Sequence, residues 1–182
     1  MEEKIVYFEK PGKVNTAEVI KLVKERAQAR GINRFVVAST RGATARDFLK
    51  AFTGTDFRLV IVPWQFGFKG EDQPFPPELV DELRAKNHQV HYGTMLFHTA
   101  DFYGTNAPQA MANLLRTFGQ GSKVCLEIIL MACNGGFVSI GEKIIAVAGT
   151  RSGADTALVA TAAPTTSLNS LRIHEIICKP FM

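Results

Sequence analysis

Cysteine is scarce and makes no pattern: Cys125, Cys133 and Cys178 are the only three in 182 residues. They form neither a CxxC pair nor an even framework. That argues against a disulfide scaffold or a thiolate zinc site and points to a reduced, cytoplasmic chain. Long hydrophobic runs are missing too. The longest apolar region, Val124 to Cys133, is interrupted by Glu127 and falls short of the roughly 18–20 residues a membrane span needs, so no membrane association is expected. The opening Met-Glu-Glu-Lys-Ile-Val-Tyr-Phe-Glu-Lys is acidic and has no apolar signal core, so secretion is not expected. Two standard phosphate fingerprints are absent as well. No Gly-Lys-Ser/Thr closes a Walker A loop, and no GxGxxG follows a strand.

What is present is ordinary globular material, 46% hydrophobic and 21% charged, in a length that suits one domain over residues 1–182. The net charge of +4 is local: residues 1–58 hold 12 Lys/Arg against 7 Asp/Glu, and the remainder 9 against 10. Lys21, Lys24, Arg26 and Arg30 lie along one expected helix beside Glu18 and Glu25, the arrangement of a solvated face, so no nucleic-acid partner is expected.

The periodicity alternates strand and helix. Strands are expected over 4–8, 34–39, 58–62, 89–92 and 143–148, with two more, 156–162 and 171–179, in the tail. Helices are expected over 16–30, 44–52, 77–86, 108–118 and 123–133. Asn15 is placed to cap the first helix, with Glu18 three residues on and Val14 and Val19 in staple positions, and Gly31 supplies the stop. Almost unbroken apolar strands such as Arg34–Ser39 suit a sheet covered on both faces. The expected fold is therefore α/β, a three-layer α/β/α sandwich with a mostly parallel mixed sheet and antiparallel edge strands. Residues 64–77 and 94–105 read as irregular segments, the first carrying Trp64, Phe66, Phe68 and Phe75. These aromatics could stack on a flat ligand or simply plug their own loop.

A near-repeat at two strand ends is the most informative feature. Val37-Ala38-Ser39-Thr40-Arg41-Gly42-Ala43-Thr44-Ala45 parallels Val147-Ala148-Gly149-Thr150-Arg151-Ser152-Gly153-Ala154-Asp155-Thr156-Ala157 in order and residue type. In an open α/β sheet ligands sit beyond the carboxyl ends of the strands, so two such turns can converge on one crevice. The first also opens a helix, where small residues, hydroxyls and the helix N-terminus suit a phosphate. A purely structural role, with Thr44 and Asp47 as a capping pair and the glycines making tight turns, accounts for either loop taken alone.

Ser39-Thr40-Arg41-Gly42-Ala43-Thr44-Ala45 resembles the phosphate-gripping loop of the C-terminal domain of pyruvate kinase, and Gly141 to Thr150 is similar to a strand near that domain's end. The match is closer to the stand-alone, mostly archaeal and bacterial members of the pyruvate kinase C-terminal-domain-like family. The chain resembles them in Ser-Thr-x-Gly-x-Thr-Ala, in a Lys-Val-x-x-Glu-Ile helix (Lys123, Val124, Glu127, Ile128), in Ala-Gly-Thr-x-x-Gly-Ala-Asp-Thr-Ala and in a closing His-Glu-Ile-Ile (His174–Ile177). The resemblance runs from residue 15 nearly to the end. It implies a five-stranded mixed core sheet with added strands, and flavin mononucleotide (FMN) at the strand ends, as in some members. Carried over by motif, Ser39, Thr40, Arg41, Gly42, Ala43 and Thr44 would hold the phosphate. Gly149, Thr150, Arg151, Gly153, Ala154 and Asp155 would border the ribityl chain or ring. Gln65, Gly67, Phe68, Gly93 and Thr94 would approach the ring, although Gln65 stands where the family has histidine, and Met95-Leu96-Phe97 departs from its pattern.

Pyruvate kinase chemistry itself is not expected, because phosphoryl transfer needs metal ligands and charge clamps and the acidic residues form no metal-spaced cluster. His88 and His91, three apart on a strand, would face opposite ways and share no metal. His98 is the better candidate acid or base, or a solvated loop histidine. Cys125 and Cys133 read as core residues. The sequence singles out no acid/base pair, so the expected function is binding of FMN or another phosphorylated small molecule. The alternative is a regulatory module that senses a phosphorylated metabolite through the same loop and signals as a homo-oligomer.

Overall fold

A computed structural model describes residues 2–70 and 72–181. Its elements run β1 (Val6–Phe8), α1 (Thr16–Arg30), β2 (Arg34–Ala38), α2 (Ala43–Phe52), β3 (Arg58–Val62), α3 (Pro77–Ala85) and β4 (Gln89–Val90). They continue with α4 (Ala100–Tyr103), α5 (Ala107–Arg116), α6 (Gln120–Asn134), β5 (Lys143–Ala148), β6 (Thr156–Thr161) and β7 (Arg172–Pro180). The strands form one sheet in the order β1-β7-β6-β5-β2-β3-β4.

The unbroken apolar strands are explained by what covers them. Phe35, Val37, Leu59, Ile61, Ile145 and Val147 pack on one face with Val19 and Val23 of α1, Phe48 and Phe52 of α2, and Leu79 and Leu83 of α3. The alternate residues Val36, Val60, Ile144, Ala146 and Ala148 pack on the other face with Cys125, Ile129 and Ala132 of α6. A strand covered on both faces has no polar side to show, and the result is an α/β/α layering with a mostly parallel sheet. The antiparallel direction falls inside the sheet rather than at its edges. β6 runs antiparallel to both β5 and β7, while edge strands β1 and β4 are parallel to their neighbours.

The start of α1 differs from its local pattern. Asn15 makes no cap; its side-chain amide donates to the carbonyls of Lys10 and Gly12 at 2.7 and 3.2 Å. Val14 is 74% exposed and staples nothing to the buried Val19. Thr16 instead links two distant segments, its hydroxyl donating to the Lys13 carbonyl and accepting the N–H of Ala154 at 3.0 Å. Tertiary docking has taken over the groups that a local reading assigns to the helix end. Of the early cations, Arg26 and Arg30 are tied to Glu175 of β7 and to Glu3, so the basic surplus of that helix is partly neutralised in the fold.

Candidate functional site

β2 and β5 are adjacent and parallel, with Val37 opposite Val147. The turns after Ala38 and Ala148 therefore leave the same end of the sheet side by side, next to the end of β3 at Val62. From β2 the chain moves to β3 on one side, and β5 returns on the other, which makes this the point where strand order reverses and a crevice opens. The crevice has a volume of about 450 Å³. That lies within the roughly 300–1,000 Å³ of small-molecule sites. Both turns line it, together with Lys13, Trp64, Phe68 and one side of α6.

The first turn is built around the N-terminus of α2. Gly42 occupies the cap position at φ 85°, a conformation that favours glycine, and Ser39 Oγ accepts the N–H of Ala45 at 3.1 Å. The other N–H groups of the first helical turn have no intrahelical acceptor. Ser39, Thr40, Arg41, Ala43 and Thr44 all line the cleft. Thr44 is only 6% exposed and lines the cleft, and its hydroxyl is no buried orphan, since among the described residues every buried side-chain polar atom has a partner. Gly42 itself does not line the cleft. A β-carbon there would point away from it and stand 2.7 Å from Leu79 Cδ2 and 3.1 Å from Pro76 Cδ. Its role is to let the turn close against α3.

The second turn divides in two. Gly149, Arg151, Ser152 and Gly153 line the cleft, and Arg151 is held at φ 64°, unusual for a residue with a β-carbon. Thr150, Ala154 and Asp155 turn elsewhere. Asp155 is fully buried: Oδ2 accepts the N–H groups of Gly12 and Thr150 at 2.7 and 2.9 Å, and Oδ1 accepts the Thr156 hydroxyl at 2.7 Å. Both oxygens are engaged, and Oδ2 clips this turn to the segment before α1. Gly153 belongs to the same clip, since a β-carbon there would stand 2.4 Å from Lys13 Cα.

Charge in the cleft is lopsided. Lys13, Arg41, Arg116, Lys123 and Arg151 face Asp47 and Glu127. On α6, Lys123 Nζ donates to Glu127 Oε2 at 2.5 Å and lies 3.3 Å from His98 Nε2, while Glu127 Oε1 accepts the N–H of Phe97 at 2.9 Å. Burial pulls the Lys123 ammonium below its ordinary pKa, with Glu127 opposing. His98 is also lowered, first by burial and then by the Lys123 charge. The His98 ring stands edge-on to Phe68 at 4.9 Å between centroids, and Phe68 edge-on to Trp64 at 5.1 Å, so these three form an aromatic wall.

Other expected ring contacts are not brought to this cleft. Gln65 Oε1 accepts the N–H of Met95 at 2.6 Å and ties two loops together, and Gly67 sits in an open turn at φ 71°. Gly93 and Thr94 line a second cleft, of about 710 Å³, beside Tyr103, Met111 and Leu168. Phe66 is 63% exposed and stacks beside Tyr92. His88 accepts the N–H of Leu59 through Nδ1, whereas His91 lies near Phe137, and both are held below the ordinary pKa chiefly by burial. The three cysteines are free and buried, and burial pushes the Cys178 thiol up to about 12. Among the described residues, no three His, Cys, Asp or Glu side chains are grouped to hold a metal, and no helix is long and apolar enough to cross a membrane.

Lys123 and Glu127 stood out in the sequence only as part of the Lys-Val-x-x-Glu-Ile resemblance, and their buried pairing was not foreseen. Its signal was two opposite charges four residues apart on an otherwise apolar helix. Lys13 was also missed, because it reaches the cleft only through the docking of the Lys13–Asn15 turn onto Gly153. The chain matches no model of a known protein family.

Proposed function

We propose that the protein binds a phosphate-bearing small molecule at the Ser39–Thr44 turn, that FMN is the compound, and that the chain is a stand-alone relative of the pyruvate kinase C-terminal domain. The observation that carries this is the N-terminus of α2 with Ser39, Thr40 and Thr44 around it, in a cleft whose cations outnumber its carboxylates. An anion at that turn accepts from its hydroxyls and from the first-turn N–H groups of α2, and the helix N-terminus and the nearby cations favour its charge. The wall of Trp64 and Phe68 suits the apolar face of a flat ring. A bound flavin would supply hydride or electron chemistry from its ring, and the chain would bind and orient it.

The test is an FMN titration followed by quenching of flavin fluorescence in the wild type and in Thr44→Val, which keeps the shape and removes the hydroxyl. Affinity should fall by about tenfold or more, as for one hydrogen bond to a charged group. Unchanged affinity would remove the turn from the site.

A further inference from the structure

The cleft holds one feature that packing does not account for. The side chains of Lys123 and Glu127 are 2% and 3% exposed. Burying two charges is weak support for stability, because the lost hydration offsets much of their attraction. Glu127 has a structural use in holding Phe97 N–H, and Lys123 balances it. Yet the Lys123 ammonium also reaches His98. An ammonium only donates, so Nε2 is the acceptor, and the neutral imidazole carries its proton on Nδ1. The groups facing His98 are Lys123 and Glu127 of α6 and Arg116 at the end of α5, with Phe68 against the ring. All of them line the cleft that contains the Ser39–Thr44 turn.

We propose that His98, Lys123 and Glu127 form a proton-delivery site for a phosphorylated aldehyde or ketone anchored at that turn, and that the chain promotes enolisation of such a compound. This rests on the phosphate-binding part of the reading above and not on FMN, which would compete with such a compound for the same turn, and it adds a ligand class and a reaction. The Nδ1 proton of His98 passes to the carbonyl oxygen while Lys123 passes one to Nε2, so the imidazole stays neutral throughout. The C–H bond beside the carbonyl breaks, its electron pair becomes the new C=C bond, and the proton goes to Asp47. Asp47 lines the same cleft and has no ion-pair partner among the described residues. Exchange with solvent takes the proton from Asp47 and restores the Lys123 ammonium. Glu127 stabilises that ammonium and, through Phe97, fixes the loop carrying His98.

The experiment follows dihydroxyacetone phosphate in D2O by proton NMR, with its binding measured in parallel by calorimetry. The wild type should exchange the carbon-bound hydrogens about 100-fold above buffer, the low end of what positioned acid–base groups contribute. His98→Gln keeps an amide near Nε2 but has no donor at Nδ1, and it should bind the ketone and exchange at the buffer rate. The double variant Lys123→Met/Glu127→Gln removes both charges together, leaves no unpaired buried ion, and should behave the same way. Bound ketone exchanging at the buffer rate, or His98→Gln as fast as wild type, overturns the proposal. If FMN binds and the ketone does not, the proposal falls while the phosphate site stands; if neither binds, both fall.

Discussion

Two residues that look alike as turn chemistry, Gly42 and Thr44, have opposite uses. A β-carbon at Gly42 would meet Pro76 and Leu79, whereas Thr44 lines the cleft. Gly42→Val should therefore be a folding variant: the left-handed conformation alone costs a β-carbon about 1–2 kcal/mol, before the clash with Leu79 is counted. A denaturation midpoint unchanged from wild type would contradict that. Thr44→Val, by contrast, should leave the midpoint close to wild type and act on affinity. Ser39 does both jobs, since its oxygen already accepts the N–H of Ala45, and Ser39→Ala should cost about 1 kcal/mol of stability along with a donor to the ligand.

At the scale of elements, α6 carries the largest hidden commitment. Glu127→Ala would strand the Lys123 charge and the Phe97 N–H in the interior, and should destabilise by about 3–5 kcal/mol. Changing both residues, to Met and Gln, should cost clearly less, and chemical denaturation of the two variants compares them. The elements themselves were legible from periodicity. The helix over 16–30 and the strands over 58–62 and 143–148 lie where apolar spacing and glycine stops put them. The two matched strand-end turns also converge as strand-end geometry requires. The tertiary uses of Asp155 and Thr16 were not legible, because their partners Gly12 and Ala154 lie 143 and 138 residues away along the chain. Nor was the inward turn of Lys123, since an i, i+4 charge pair reads equally well as a solvated face until the neighbouring layers are known.

For the molecule as a whole, three histidines set the acid side of stability. His88, His91 and His98 all lie below the ordinary 6.5, each first because burial disfavours the charged ring. As pH falls through that value the unfolded chain takes up protons before the folded one does. Their contribution to stability is therefore present above about pH 6.5 and lost progressively below it. Thermal midpoints should decline between about pH 7 and 5.5, ahead of the carboxylates. His98→Gln should flatten part of that decline, and a curve identical to wild type would exclude His98 from it. The cleft concentrates positive charge at the carboxyl ends of β2, β3 and β5, so the central claim concerns one phosphate at one helix N-terminus. The most direct measurement compares the dissociation constants of FMN and riboflavin by fluorescence quenching, since the two differ only in that phosphate. FMN should bind about tenfold to a hundredfold more tightly, as two or so charge-assisted hydrogen bonds allow. Equal affinities for the two flavins would contradict the phosphate site.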